Sequence, residues 1–326
     1  TPHKLLGRAS LLCCALSAVA WGGDVSRQEA IGWRLFFDPI LSRSRNTSCG
    51  TCHKPEHGFE QGTTFGKGTH GDRLPINTPT VVNLGEAEYF FWDGRAESLE
   101  EQARGPITNP IEMDLTLKEA LGRVKSQSRY RKAFAAIGVN EITIEDIVGA
   151  IAAFERQLIT GETAFDHWLQ GDRSALSTSQ TRGRMLFFTR GECAICHIGH
   201  NFTDNDFHNV GTGGEADLGR YNVTKDEEDK GAFKVPSLRN WKGREPFMHD
   251  GRFKTLEQVI GHYSGQVRPH PNLGLAFEDN SSEKGASGFR FTKRQQQALV
   301  AFLKTLTDTS FVTDARFSDP FVRSTR

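Results

Sequence analysis

The chain has 326 residues, with 40 basic and 40 acidic side chains and therefore no net charge when the histidines are neutral. This length suggests two domains, and a composition of 37% hydrophobic and 25% charged residues is typical of a globular protein. The balanced charge argues against a surface for nucleic acid or for anionic membranes. After the N-terminal segment, no stretch has the roughly eighteen consecutive apolar residues of a transmembrane helix.

The first twenty residues have the pattern of a secretory signal peptide. Lys4 and Arg8 give a basic start, residues 11–20 are apolar apart from one serine, and Ala18-Val19-Ala20 fits a small-x-small cleavage site. The apolar segment is too short to span a bilayer, which argues against a membrane anchor. We therefore expect residues 1–20 to be a signal peptide and the mature chain to be periplasmic.

Two short motifs of the same form follow, Cys49-Gly50-Thr51-Cys52-His53 and Cys193-Ala194-Ile195-Cys196-His197. Such a CxxCH motif attaches a c-type haem through both cysteines, and its histidine is the proximal iron ligand. Half a zinc site or a CxxC redox pair is the alternative for a single copy, and the second copy disfavours both. The remaining two cysteines lie in the signal segment, so none is left for a disulfide. We expect two covalent haems, with His53 and His197 as iron ligands.

The segments around the two motifs repeat in the same order along the chain. The matching pairs are 32–37 with 183–188, 77–83 with 234–240, 92–95 with 249–252, 99–100 with 256–257, and the helical segments 150–158 with 298–306. Five matches in one order indicate a duplicated unit of about 150 residues. The periodic segments are helical. We therefore predict a mostly α protein of two tandem cytochrome-c-like domains, 21–172 and 173–326, joined by a polar linker.

The two halves differ at the positions expected to face the haems. Three of the matching pairs are separated by 157 residues, and in this register Pro106 lies opposite Tyr263. A proline cannot bind iron, whereas a tyrosine phenolate can. The second haem is thus expected to have His197 and Tyr263 as ligands, while the first keeps an open face. His262 and Met248 are alternative ligands of the second haem.

Three further side chains belong to this difference between the halves. Gln102 and Glu112 flank Pro106 in the sequence, and a carboxylate beside an open haem can move a proton between the two oxygens of peroxide. An amide nearby can orient the peroxide. Trp92 lies opposite His249 and is a candidate for electron transfer between the haems. The alternatives are surface positions for Gln102 and Glu112 and core packing for Trp92.

Together these residues resemble the bacterial di-haem cytochrome c peroxidase family, including its methylamine-utilisation (MauG-like) branch. The resemblance covers nearly the whole mature chain and includes both CxxCH motifs and the segments 77–80, 91–95, 109–113, 235–240 and 248–251. It implies a peroxidatic N-terminal haem and a C-terminal haem that relays electrons. Gln102, Pro106 and Glu112 would be the distal trio, and Trp92 the inter-haem tryptophan. Ordinary family peroxidases have a methionine in place of Tyr263, whereas the MauG-like branch has tyrosine.

The resemblance also implies a calcium ion between the domains, bound by the side chain of Asn77 and the carbonyl oxygens of Arg244 and Pro246. The chain differs from the MauG-like branch at one position. The surface tryptophan with which that branch oxidises a protein partner is Gly191 here, which argues against oxidation of the same partner. His70 is either a removable distal ligand of the first haem or an exposed loop histidine.

The sequence therefore favours an enzyme that reduces hydrogen peroxide to water through a bis-Fe(IV) state shared by the haems. The expected electron donor is a small periplasmic cytochrome c or cupredoxin. Oxidative maturation of a partner protein is the alternative on the same fold. A di-haem electron carrier without chemistry of its own is the third hypothesis. A homodimer is compatible with each of them, and neither nucleic acid nor a membrane span is expected.

Overall fold

The computed structural model describes residues 27–214, 216–277 and 289–322, so the expected signal peptide lies outside the described residues. The helices are Arg27–Phe37 (α1), Cys49–Cys52 (α2), Leu99–Thr108 (α3), Leu117–Ser126 (α4), Ser128–Ala135 (α5), Ile144–Glu155 (α6), Ala164–Leu169 (α7), Thr178–Phe188 (α8), Tyr221–Thr224 (α9), Leu256–Tyr263 (α10) and Lys293–Leu303 (α11). Two short strands, Phe207–His208 (β1) and Phe233–Lys234 (β2), pair antiparallel. No helix within these ranges has both the length and the apolar composition needed to cross a bilayer.

The last long helix of each half begins earlier than its apolar pattern predicts. Helix α6 begins at Ile144 rather than at 150, and α11 at Lys293 rather than at 298. Thr143 and Thr292 precede them as capping boxes, in which the threonine and the side chain three residues later satisfy each other's backbone N–H groups. The caps set the start, and α6 is already buried at Ile147 and Val148, before the repeated segment begins.

The duplication predicted from the sequence is present in three dimensions. Helix α1 packs against α6 in the first half, and α8 packs against α11 in the second. The backbone N–H of Asn83 donates to the carbonyl of Leu158 at 2.8 Å, and that of Asn240 donates to the carbonyl of Leu306 at 2.9 Å. These bonds join positions that correspond in the sequence repeat. The two halves therefore have the same arrangement of these elements.

Each of these helix pairs crosses at a glycine. A Cβ on Gly32 would lie 1.7 Å from the carbonyl oxygen of Ala150, and a Cβ on Gly183 would lie 1.9 Å from that of Ala298. Such distances are far inside van der Waals contact, and the obstructing atom is backbone. Only glycine allows the two helices to approach this closely.

We expect Gly32→Ala and Gly183→Ala each to lower the free energy of unfolding by about 1–3 kcal/mol or more, because the partner helix must move away. Urea unfolding followed by circular dichroism measures the change. Gly122→Ala in α4 is the matched control, since no atom lies within 4 Å of its added Cβ. That variant should be stabilised by about 0.5–1 kcal/mol. Equal stability of Gly32→Ala and Gly122→Ala would contradict the close crossing.

Two apolar cores cross the predicted boundary between residues 172 and 173. The first core surrounds α1 and α6 and also contains Phe311 and Phe317 from the C-terminal segment. The second core surrounds α8 and α11 and also contains Phe165 and Trp168 of α7. The boundary itself stays a prediction, but the packing shows that each half completes the core of the other.

Candidate active site

One pocket brings together the residues predicted to hold the first haem and to act on its open face. Cys49, Cys52 and His53 line it together with Gln102, Pro106 and Glu112, and the remaining lining residues are Thr47, Ser48, Gly68, Leu74, Ala103, Met113, Ile151 and Glu155. The six predicted residues come from three separate segments of the chain. Their meeting in one pocket supports the prediction that they form a single site.

The first CxxCH motif is held as a single helical turn that presents its histidine to the pocket. Ser48 precedes α2, and its backbone N–H donates to the Thr51 hydroxyl at 2.9 Å. His53 Nδ1 lies 3.0 Å from the carbonyl oxygen of Phe59. Because a carbonyl only accepts, Nδ1 carries the proton and the Nε2 lone pair is left for a metal. Burial lowers the pKa of His53 to about 4, which keeps the ring in the neutral, ligating form.

The second motif repeats this arrangement. His197 Nδ1 lies 2.9 Å from the carbonyl oxygen of Phe202, and burial lowers the pKa of this histidine. Phe59 and Phe202 both have a positive φ, 59° and 53°, which turns their carbonyls toward the histidines at the cost of backbone strain. Paired thiols with an adjacent neutral, oriented histidine are the donor set of a covalent c-type haem. The residues present therefore fit a haem in each half.

Helix α3 supplies two of the predicted distal residues. Gln102 and Pro106 are four residues apart and so lie on one face of the helix, while Leu99, Ala103 and Ile107 are buried. Pro106 lies inside the helix, where a proline removes a backbone hydrogen bond and costs stability. A helix of this length without Pro106 would be more stable, which is consistent with a role for this proline in the pocket.

Glu112 enters the pocket from the turn that follows α3. The side-chain amide of Asn109 donates to Glu112 Oε1 at 2.6 Å, and the backbone N–H of Thr69 donates to the Glu112 carbonyl at 2.6 Å. Burial raises the pKa of Glu112, and the bond from Asn109 and the charge of Arg95 partly oppose the rise. Asn109 belongs to the segment 109–113 that resembles the family, and the resemblance predicts no role for it. In the structure it positions the Glu112 carboxyl group.

His70 lies at the surface and not against the first CxxCH motif. Its Nε2 is 2.9 Å from Asp114 Oδ2, and 43% of its side chain is exposed. Asp114 also lies 3.6 Å from Arg43 Nε. Of the two alternatives for His70, this position corresponds to the exposed loop histidine.

Tyr263 lies within electrostatic range of the second CxxCH motif. It is the last residue of α10 and is half-buried, and its ring stacks on Phe277 at 5.9 Å. Burial raises the pKa of its phenol, and the thiol groups of Cys193 and Cys196 raise it further. Without a metal, Tyr263 would thus be a neutral phenol.

The two alternative ligands of the second haem have other contacts. His262 is buried, and its Nε2 lies 2.7 Å from the carbonyl oxygen of Val210. Met248 accepts a hydrogen bond from Asn77 Nδ2 at 3.2 Å through its backbone carbonyl. The contact to Val210 occupies Nε2 of His262 and leaves Nδ1, and the bond of Met248 involves only its backbone. Tyr263 as the ligand therefore stays a prediction.

Trp92 contacts both halves of the chain. Its indole N–H donates to the carbonyl of Asn77 at 2.8 Å, and its own carbonyl accepts from the N–H of Lys234 at 2.9 Å. Its ring meets that of His249, its counterpart in the repeat, edge-on at 6.2 Å. His249 is fixed in turn by Asp217, with 2.6 Å between Nε2 and Oδ2. The predicted bridging residue is therefore located where the two halves meet.

Two of the three predicted calcium ligands lie together. Asn77 Nδ2 is 2.7 Å from the carbonyl oxygen of Pro246 and 3.2 Å from that of Met248. The third predicted ligand is the backbone carbonyl of Arg244, whose side chain is paired separately, with its Nε 2.6 Å from Glu60 Oε1. Carbonyl oxygens suit a hard cation. As placed, however, the Asn77 amide satisfies them by donating its own hydrogens.

Glu155 is the pocket residue that the sequence analysis missed. It ends α6 and is only 3% exposed, yet its Oε2 has no hydrogen-bond partner among the described residues. Burial raises its pKa to about 8. The sequence contains one sign of this residue. An acidic side chain occupies a position of the apolar repeat at which the second half has Leu303.

The chain is similar to known di-haem proteins. Residues 26–174 match the family model described as di-haem cytochrome c peroxidase. The methylamine utilization protein MauG of Methylorubrum extorquens is 42% identical, over 85% of this chain and 77% of its own length. Cytochrome c551 peroxidase of Nitrosomonas europaea is 38% identical, over 85% and 79%.

Solved structures confirm the predicted fold of two cytochrome-c-like domains. The crystal structure of a MauG-like protein associated with microbial copper homeostasis has a TM-score of 0.81 and 32% identity, and the match covers 92% of this chain and 95% of that chain. The diheme peroxidase BthA of Burkholderia thailandensis has the same fold, with a TM-score of 0.76, 22% identity, and coverage of 89% and 88%. The family implies two c-type haems. This chain belongs to the di-haem cytochrome c peroxidase/MauG family of oxidoreductases.

Proposed function

We propose that the protein reduces hydrogen peroxide to water at the site of the first haem, with electrons that arrive through the second haem domain. The observation that carries the proposal is the asymmetry between two otherwise equivalent sites. The pocket of His53 contains an amide, Gln102, and a carboxyl group, Glu112, whereas the thiols of the second motif act on the phenol of Tyr263. One site thus has groups for proton transfer to a small substrate, whereas in the other His197 and Tyr263 would both hold the metal of a bound haem.

A haem attached at Cys49 and Cys52 and ligated by His53 supplies the iron at which the O–O bond is broken. The protein supplies the proton transfer and the orientation. Glu112 takes the proton from one peroxide oxygen and returns it to the other, so that the leaving oxygen departs as water. Its raised pKa brings the free energies of taking the proton and of returning it closer together. Asn109 holds its carboxyl group in place. Gln102 orients the peroxide by hydrogen bonding.

Electrons are proposed to enter at the second haem domain, residues 173–326, and to reach the first domain, residues 21–172, by way of Trp92. The donor is a small periplasmic cytochrome c or cupredoxin. Exposed apolar side chains on α8 and around the second CxxCH motif support this entry point, since a monomer rarely exposes grouped apolar residues without a partner. They are Met185, Phe188, Ile195 and Ile198.

The holoprotein with pre-reduced cytochrome c tests the proposal directly. Peroxide should be consumed, and the cytochrome should be oxidised in the two-to-one ratio that the two-electron reduction requires. Electron paramagnetic resonance of the resting protein should show high-spin iron from the open first site. Absence of both peroxide consumption and a high-spin signal would leave an electron carrier as the function.

Oxidative maturation of a partner protein is the second candidate. It is favoured by the position of Tyr263 beside the second CxxCH motif and by the similarity to MauG. Gly191, where the MauG-like branch has its surface tryptophan, argues against it. Rapid turnover with a reduced small redox protein would decide for the peroxidase.

A calcium ion between the halves, bound by the side chain of Asn77 and the carbonyl oxygens of Arg244 and Pro246, is proposed from the resemblance. The contact between Asn77 and the carbonyl of Pro246 supports it. We expect elemental analysis of the purified protein to find calcium, and chelation to lower the thermal unfolding midpoint. Asn77→Ala should show the lower midpoint with or without chelator. A midpoint in the unmodified protein that does not respond to calcium would contradict the site.

A further inference from the structure

Glu155 is a carboxyl group in the pocket of the first CxxCH motif without a cation to balance it. It lines the pocket together with Cys49, Cys52, His53 and Glu112, and no lysine or arginine is among the described lining residues. Its neighbour Arg156 lies outside the pocket and binds both oxygens of Glu100 on α3, at 2.7 and 3.0 Å. The guanidinium of Arg156, which lowers the pKa of Glu155, is therefore already paired.

The free energy of this arrangement favours a neutral group. An ionised carboxylate that is buried without a partner carries a desolvation penalty of several kcal/mol, which protonation removes. The charged groups around Glu155 do not reverse this preference, because Arg156 lowers its pKa while Glu100 raises it, and the balance remains at about 8. Glu112 in the same pocket is a second acid and adds no positive charge.

The repeat shows that the fold does not need a carboxyl group at this position. Leu303 corresponds to Glu155 and packs in the second core at 6% exposure. The bonds from Asn83 to Leu158 and from Asn240 to Leu306 confirm that the two helix ends are in the same register. An apolar residue therefore suffices for helix packing. The acid is found only in the half whose pocket contains Glu112 and Gln102.

We propose that Glu155 holds a proton in the resting protein and is a second proton-donating residue of the first pocket, alongside Glu112. This role rests on the proposed function. Reduction of one peroxide to two waters takes up two electrons, from the reduced redox protein, and two protons. The proton that Glu112 moves from one peroxide oxygen to the other is not one of these two, because it is taken from the peroxide and returned to it. Glu155 supplies one of the two additional protons to a peroxide-derived oxygen, and solvent then reprotonates it.

Infrared spectroscopy of the holoprotein tests the protonation state without using activity. Burial also raises the pKa of Glu60, to about 7, although Glu60 is paired with Arg244. Glu60→Gln is therefore the control and the background for the measurement. This variant should show, at neutral pH, a carbonyl-stretch band of a protonated carboxylic acid that is sensitive to deuterium exchange, and the double variant Glu60→Gln/Glu155→Gln should lack it. A band that is missing in Glu60→Gln, or that survives in the double variant, would overturn the proposal.

Stability against pH gives an independent readout that a merely structural residue would not move. Because the folded state raises the pKa of Glu155, its contribution to stability is full below the pKa of a free glutamate and is lost as the pH rises through about 8. Glu155→Leu, which copies Leu303, should therefore gain stability relative to the unmodified protein as the pH rises. A difference that is constant with pH would show that Glu155 does not bind a proton on folding.

Turnover tests the delivery step itself. Glu155→Gln should keep its haem content and lose about 10²-fold in peroxide turnover, as expected for loss of a proton-transfer group. If turnover is unchanged while the infrared band is assigned to Glu155, proton delivery by Glu155 is overturned and only its protonated state stands. No peroxide consumption by the unmodified protein would instead refute the proposed function, and the delivery role with it. The infrared band would still decide the protonation state.

Discussion

Replacing Glu112 with glutamine is expected to slow peroxide turnover by about 10²–10⁴-fold, the usual effect of removing a general acid–base group. Glutamine has the size of glutamate and can keep the contact with Asn109, but it cannot take and return a proton. The haem content, determined from the pyridine haemochrome spectrum, should be unchanged, because attachment depends on Cys49 and Cys52. Steady-state kinetics with a reduced cytochrome measures the loss.

The dependence of this activity on pH identifies Glu112 more specifically. The residue must be ionised to take the first proton, so kcat/KM should fall as the pH drops through its pKa. Burial raises that pKa, which places the acidic limb of the profile above the value of about 4.3 for a free glutamate. The limb should disappear in Glu112→Gln.

Asp114→Asn is the matched control for this variant. Asp114 lies two residues further along at the surface, and its φ of 50° is a conformation that asparagine also adopts. Its carboxylate binds His70 and Arg43 and does not line the pocket. Full activity in Glu112→Gln, or an equal loss in Asp114→Asn, would remove Glu112 from the mechanism.

Replacing Tyr263 with phenylalanine is expected to change the second haem site and leave the first intact. If the phenolate is the ligand opposite His197, its loss opens that face and adds a second high-spin ferric signal to the paramagnetic resonance spectrum. A phenolate stabilises ferric iron, so its removal should raise the reduction potential of this site. An increase on the order of 0.1 V is expected within the range of about 0.8 V that axial ligands control. Spectroelectrochemical titration measures it.

The neighbouring histidine provides the control for Tyr263. His262→Gln keeps a side-chain donor for the carbonyl of Val210, which His262 contacts in the structure. This variant should have the spectrum and potential of the unmodified protein. The opposite pattern, with a new spectrum in His262→Gln and none in Tyr263→Phe, would assign the ligand to His262.

The sequence was sufficient for the features that repeat. The CxxCH motifs, the 157-residue register and the apolar helix segments predicted the fold, and the register also placed Trp92 opposite its counterpart His249. Covalent attachment needs a fixed spacing, and helix packing needs a fixed period. Both therefore leave a regular pattern in the chain.

Other features depended on contacts between distant segments, which no spacing records. The burial of Glu155 follows from the packing of α6 beside the first motif, and its sequence position at the end of an amphipathic helix is usual for a solvated acid. The partner of His70 and the contact of His262 with Val210 also depend on where loops lie. The role of Asn109 could have been predicted from the sequence, since it lies three residues before Glu112 in a turn.

The exchange of aromatic residues between the two cores has a consequence for how the sites are supported. Phe311 near the C-terminus packs on Phe59 with 5.8 Å between the ring centres, and the carbonyl of Phe59 orients His53. A segment near the end of the second haem domain thus supports the proximal histidine of the first. Removal of the last residues of the chain would loosen a ligand more than 250 positions earlier. The two halves repeat each other in sequence, but neither contains all the residues of the apolar core that supports its own histidine.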